Sequence, residues 1–115
     1  MELSIISPMY NEENNIESTV EEIRRVLADY DKTWELILVN DGSTDRTLEV
    51  ATRIAEKYDN ISVISYFVNR GRGYALRQGF ARAQGRLLIT IESDLSWNAE
   101  CILEMIKKFD EDITI

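Results

Sequence analysis

The chain predicts an α/β fold built on a mostly parallel sheet, and three observations carry that expectation. Short aliphatic runs rich in β-branched residues alternate with longer amphipathic stretches along the 115 residues. Each aliphatic run leads at once into a polar turn: Asn11-Glu12, Asn40-Asp41-Gly42-Ser43-Thr44-Asp45, Asn69-Arg70-Gly71-Arg72-Gly73 and Glu92-Ser93-Asp94. Successive strand-helix units need crossover connections, so the strands run parallel and the polar turns gather at one end of the sheet, where open α/β sheets bind ligands.

Leu3-Ser4-Ile5-Ile6-Ser7 predicts a first strand, ended by Pro8. From about Asn14 to Tyr30, Ile16, Val20, Ile23, Val26 and Leu27 form a helical stripe, and Glu17, Glu21, Glu22, Arg24 and Arg25 make its solvated faces. Trp34 to Val39 is a second strand whose unbroken aliphatic end fits a central position covered on both faces. Ser43 and Thr44 are N-cap candidates for a helix carrying Leu48, Val50, Ala51, Ile54 and Ala55. Ile61 to Phe67 predicts a third strand, Tyr74 to Gln84 a third helix with Gly85 as its C′ stop, and Arg86 to Ile91 a fourth strand. Asn98 caps a last helix with Ile102, Leu103, Ile106 and Phe109, and Asp112 to Ile115 predicts the start of a fifth strand. No internal repeat or linker interrupts residues 1–115, which read as one domain.

Composition narrows the chemistry. The net charge of −8 disfavours nucleic acid as a partner, and an anionic ligand would need a divalent cation between itself and the acidic rim. The absence of histidine excludes imidazole acid/base chemistry and imidazole-ligated zinc. The single cysteine, Cys101, has no partner for an internal disulfide, and its place among Ile102, Met105 and Phe109 predicts a packing role. No apolar run approaches the roughly 18 residues of a membrane span, and no secretory leader pattern opens the chain.

Three of the turns carry distinct chemistry. Asp41 at a strand end can accept hydrogen bonds from a base or ribose, although an ordinary strand-to-helix turn with a capping box explains Asp41 to Asp45 as well. Glu92 and Asp94 can offer oxygen ligands to Mg²⁺ or Mn²⁺, with Ser96 adding a hydroxyl; exposed loop acids give the same triplet. Around Gly71 and Gly73, glycine-flanked backbone at a helix start can approach a phosphate closely, and Arg70 and Arg72 add positive charge. The segment is neither a dinucleotide fingerprint nor a P-loop, since the third glycine and the Gly-Lys-Ser/Thr are missing.

Taken together and in order, Ser7-Pro8-Met9-Tyr10-Asn11-Glu12-Glu13, Asn40 to Asp45, Asn69 to Ala75 and Glu92-Ser93-Asp94-Leu95-Ser96 resemble family 2 glycosyltransferases across essentially the whole chain. Within that family the dolichol- or polyprenyl-phosphate hexose synthases look most similar. The resemblance implies a three-layer, Rossmann-like GT-A nucleotide-diphospho-sugar binding fold, truncated after its donor-binding half, and inverting transfer from a GDP- or UDP-sugar to an acceptor such as a polyprenyl phosphate. By position, Pro8, Tyr10, Glu12 and Val39 would line the nucleotide pocket, Asp41 would hold the base or ribose, and Ser93 would lie near the ribose. Glu92, Asp94 and Ser96 would hold Mg²⁺ or Mn²⁺. It also implies a cytoplasmic setting, at the membrane face in the full-length protein.

Two positions depart from the family pattern, which usually has aspartate where Glu92 and Asn40 stand. Family members also continue well past this length, so the acceptor half and any later catalytic base are expected to be missing, leaving a fragment without turnover and prone to self-association. A nucleotide-sugar binding module without turnover remains the alternative. A flavodoxin-like or response-regulator-like signalling domain would use Asp41 as phosphoacceptor but needs a lysine after a late strand, whereas Lys107 and Lys108 fall in the predicted last helix.

Overall fold

The computed structural model describes residues 1–92 and 100–113. Ser93, Asp94, Ser96, the Asn98 cap and the last two residues lie outside the described residues. The chain runs β1 (Leu3–Met9), α1 (Ile16–Val26), β2 (Trp34–Asp41), α2 (Thr47–Lys57), β3 (Ile61–Tyr66), α3 (Arg72–Arg82), β4 (Leu87–Thr90) and α4 (Cys101–Ile113). The strands form one parallel sheet in the order β3-β2-β1-β4. After β3 the chain crosses back past β2 and β1, so the order reverses beside β1, and that reversal opens a crevice at the carboxyl ends of the strands.

Side-chain alternation divides the sheet into two buried faces. Leu3, Ile5 and Met9 of β1 and Leu36 and Leu38 of β2 pack with Ile16, Val20 and Ile23 of α1, Ala51 and Ile54 of α2, and Ile102 and Ile106 of α4. Ile6, Ile37 and Val39 point the other way and pack with Ala75 of α3. Helices therefore cover both sides of β1 and β2, which is why these strands read as continuous aliphatic runs.

Several expected boundaries move. Pro8 lies inside β1, opposite Val39 of β2. The Ile91 N–H donates to the Ile6 carbonyl, so alternate residues of β1 face β4; the N–H that Pro8 lacks would point the same way, past the end of the β4 ladder at Thr90. No ladder bond is lost. β2 continues through Asp41, while β3 stops at Tyr66 and leaves Phe67 almost wholly exposed. Leu48 is exposed as well, and Thr47, Ala51 and Ile54 are the buried residues of α2. The fifth strand expected from Asp112 is corrected: α4 runs through Ile113, continuing the four-three-four spacing of Ile102, Ile106, Phe109 and Ile113.

Gly85 does not end α3, which closes at Arg82 with Ala83 as C-cap. Its lack of a side chain serves a close approach, because a Cβ there would fall 2.5 Å from the Ser4 amide nitrogen and 2.6 Å from its Oγ. The Gly85 N–H donates to Ser4 Oγ at 2.8 Å, and the Glu35 carboxylate accepts from both Ser4 Oγ (2.5 Å) and the Gln84 N–H (2.8 Å). This clamp ties the α3–β4 turn to β1 and β2 at the end of the sheet opposite the polar turns. The hydroxyl of Ser4, a fully buried residue, is satisfied by it.

Candidate active site

A cavity of about 260 Å³ opens at the carboxyl ends of the strands, lined by Pro8, Met9, Tyr10, Glu12, Asp41, Asn69, Gly71, Arg72 and Glu92. All four polar turns contribute to it. Of the residues expected to line a nucleotide pocket, Pro8, Tyr10, Glu12, Asp41 and Glu92 meet here, whereas Val39 is fully buried beneath α3 and does not line the cavity. Gly71 and Arg72, expected to approach a phosphate, line it too, and Met9 and Asn69 join them without having been singled out as ligand contacts.

The β1 and β2 turns are latched together. Asn11 adopts φ 53°, and its backbone N–H donates to Ser43 Oγ at 3.0 Å while its side-chain oxygen accepts from the Thr44 N–H at 2.8 Å. The Glu12 N–H donates to Thr47 Oγ1, and the Asp45 carboxylate accepts from the Thr47 N–H and hydroxyl and from the Glu13 N–H. Ser43 and Thr44 thus serve Asn11 rather than capping α2, whose N-cap position is Arg46. Burial pushes the Asp45 carboxyl up, but the bonds from Thr47 and Glu13 outweigh it and hold the pKa below the usual range. Its stabilisation is present above the ordinary aspartate pKa and is lost as pH falls through the lowered one.

The latch sets Tyr10 and Glu12 over the cavity. Asn15 Nδ2 donates to the Glu12 carboxylate at 2.8 Å, fixing it from the start of α1. Buried Asn40 uses its amide in both senses, donating to Ser65 Oγ at 3.0 Å and accepting from the Ser43 N–H at 3.3 Å.

Asp41 organises the β3–α3 loop. One carboxylate oxygen accepts from the Arg70 N–H at 2.9 Å; the other accepts from the Gly71 N–H and from Asn69 Nδ2, both at 3.0 Å. The Gly71 N–H is therefore turned to Asp41 rather than presented to a phosphate. Gly42, at φ 64°, lets this loop pass directly against the β2 turn. The buried Tyr66 hydroxyl lies beside the carboxylate without reaching hydrogen-bonding geometry; burial first, and Asp41 next, push its pKa up. Tyr66 meets Tyr74 edge-on at 5.1 Å, and the Arg70 guanidinium lies 5.3 Å from the Tyr74 ring centre.

Arg72 and Glu92 form an ion pair at 2.6 Å across the mouth of the cavity. Each acid lining it thus has a partner: Glu12 has Asn15, Asp41 has the loop and Glu92 has Arg72. Their oxygen donors are of the type Mg²⁺ and Mn²⁺ take. Among the described residues, however, no three His, Cys, Asp or Glu side chains converge on one cation position. Cys101 is a half-buried free thiol at the start of α4. No described helix is long and apolar enough to cross a membrane.

Comparison with known proteins places this geometry. A dolichyl-phosphate beta-glucosyltransferase of Trichomonas vaginalis is 38% identical over 97 residues, covering 80% of this chain and 30% of the relative. TarS of S. aureus, solved in complex with UDP, superposes with a TM-score of 0.76 at 29% identity over 96% of this chain and 32% of its own. The mannosyltransferase PcManGT from Pyrobaculum calidifontis, in complex with GDP-Man and Mn²⁺, gives 0.73 at 26% identity over 88% of this chain and 30% of its own. These neighbours carry the GT-A glycosyltransferase fold. The chain spans about a third of the length of the curated relatives it matches. With the glycosyl transferase family 2 model matching residues 4–115, the chain belongs to glycosyl transferase family 2.

Proposed function

We propose that this chain forms the donor side of an inverting glycosyltransferase, binding a GDP- or UDP-sugar with a divalent cation for transfer to an acceptor such as a polyprenyl phosphate. The observation that carries this reading is the cavity itself, where all four family turns meet at the carboxyl ends of β1 to β4. The named relatives support it: one acts on dolichyl phosphate, and the two structures hold UDP or GDP-Man. Pro8, Tyr10 and Glu12 form one wall for the nucleotide, Asp41 lies at its base or ribose end, and Ser93 belongs near the ribose.

Asp94, with Glu92 and Ser96, is assigned to hold Mg²⁺ or Mn²⁺, which when bound supplies positive charge for the diphosphate. The net charge of −8 makes that counter-charge necessary, since Glu12, Asp41 and Glu92 already line the cavity. An acceptor phosphate is already anionic and needs no proton removed before it attacks, so that acceptor class dispenses with a general base. Because the chain spans only about a third of its relatives, binding without turnover is the second reading for these residues alone.

Calorimetric titration with UDP, GDP and dTDP in Mn²⁺ tests the proposal, and chelator is expected to abolish the binding seen with metal. Equal affinity with and without EDTA refutes the cation assignment. In the same titration Asp94→Asn is expected to be the more damaging and Glu92→Gln the milder, because Arg72 already holds Glu92; the reverse order overturns the ranking. Nucleotide release from a GDP- or UDP-sugar at enzymatic rates would exclude the reading without turnover.

The chain is also expected to self-associate. Among the described strands β4 is an edge, paired only with β1, and Leu88 on it is exposed. A strictly monomeric species across a light-scattering concentration series refutes this.

A further inference from the structure

Charge is segregated along this chain, and the fold turns that segregation into a face. Residues 60–91 hold five arginines and no aspartate or glutamate, so all 21 acids fall outside them. The segment contains β3, α3 and β4, and α3 covers the sheet face opposite α1, α2 and α4. Ala75 and Gly79 mark the inner side of α3; a Cβ at Gly79 would fall 2.4 Å from the Ile6 side chain. Helical spacing therefore turns Arg77 and Ala81 outward, and Phe80 beside them is 41% exposed.

Not all of this positive charge is used within the chain. Arg72 pairs with Glu92, Arg86 with Glu2, and the Arg70 guanidinium lies over the Tyr74 ring. Arg77 and Arg82 are exposed and have no acid partner among the described residues. In the loop that leads into α3, Phe67 is 99% and Val68 61% exposed. Two adjacent apolar side chains in water next to uncompensated arginines mark a contact surface, because folding alone gains nothing from either.

We propose that the outer face of α3, with Phe67 and Val68 at its leading loop, docks on an anionic lipid bilayer. The arginines supply attraction to acidic headgroups, and Phe67 and Val68 supply apolar area for the boundary between headgroups and acyl chains. The net charge of −8 does not forbid this, since the acids of α1 and α2 lie across the sheet, beyond the roughly 8 Å over which physiological salt lets charges act. A second copy of the chain fits the face less well: Glu22 and Glu49 on those helices already pair with Arg25 and Arg46. Gly71 and Arg72 at the start of α3 line the cavity, so docking brings its rim to the bilayer surface. This inference does not depend on the nucleotide-sugar reading.

The test is flotation of the chain, without nucleotide, on vesicles of phosphatidylcholine alone and of phosphatidylcholine with phosphatidylglycerol at roughly three to one. Each arginine near an acidic surface is worth about fivefold in partitioning, so the anionic vesicles are expected to bind the chain at least about twentyfold better. The double change Arg77→Gln with Arg82→Gln is expected to remove about twentyfold of that binding, and salt near 1 M, where screening acts within roughly 3 Å, to release the rest. Phe67→Ser is expected to weaken binding to the anionic vesicles by roughly five- to tenfold while keeping the preference for them. Lys107→Gln, on exposed α4 surface across the sheet, is expected to change nothing. All these positions are exposed, and an unchanged unfolding midpoint in each variant checks that the fold is kept.

Equal binding to both kinds of vesicle, no binding to either, or a loss in Lys107→Gln as large as in the double arginine variant overturns the proposal. A self-associated species that the double arginine variant dissolves, in a chain that ignores vesicles, assigns the face to a second copy and overturns it too. Because no nucleotide enters the assay, none of these results touches the nucleotide-sugar reading.

Discussion

Asp41→Asn is expected to lower stability by about 1–3 kcal/mol and to weaken nucleotide binding by roughly tenfold or more, although it changes no side-chain volume. The carboxylate accepts from three N–H groups with both of its oxygens. An amide offers one oxygen, and its NH₂ must then face either the Arg70 N–H or the pair from Gly71 and Asn69. A donor turned on a donor forfeits those bonds and leaves part-buried N–H groups to find water. The loop over Gly71 and Arg72, which forms one wall of the cavity, then loses its anchor. For a domain of this size the loss corresponds to a fall in unfolding midpoint of about 5–15 °C. An unchanged midpoint in calorimetry would show that the loop is held by something else.

The sequence located this centre better than it explained it. Asp41, Gly71 and Arg72 stood out because carboxylate, glycines and arginines follow aliphatic runs, and that local pattern is enough to bring the turns to one rim. What each polar group does there depends on partners distant in sequence. Ser43 and Thr44 fit N-cap statistics, yet their partner is Asn11, more than thirty positions earlier. Gly85 follows a helix as a C′ glycine would, yet it is needed against Ser4, 81 positions away. Propensity ranks what a residue can do locally, and tertiary contacts decide among the options. Pro8 is the same lesson in reverse: a strand breaker sits harmlessly in β1 because β4 is too short to need its missing N–H.

Gly42→Ala is expected to be as damaging as the Asp41 change, by a route that begins in the backbone. At φ 64° an L side chain is strained by about 1–2 kcal/mol before it touches anything. A Cβ placed there falls 2.3 Å from the Asn69 nitrogen and 2.5 Å from the Val68 carbonyl carbon. These are backbone atoms, so no rotamer change relieves the clash; the 68–69 segment must move away from β2. That segment leads directly into the donors that hold Asp41, and its displacement pulls the Asn69 amide and the Arg70 N–H off the carboxylate. Strain, overpacking and lost hydrogen bonds therefore act together, for an expected total of about 3 kcal/mol or more. Gly73→Ala provides the contrast two positions after Gly71. It lies in α3, where a new Cβ meets only the Arg77 side-chain end at 3.8 Å, so alanine there is expected to be neutral or to stabilise by up to about 1 kcal/mol. Paired unfolding curves decide the matter: if both variants melt together near the wild-type midpoint, the contact between Gly42 and the Asn69 segment is not what holds the site in shape.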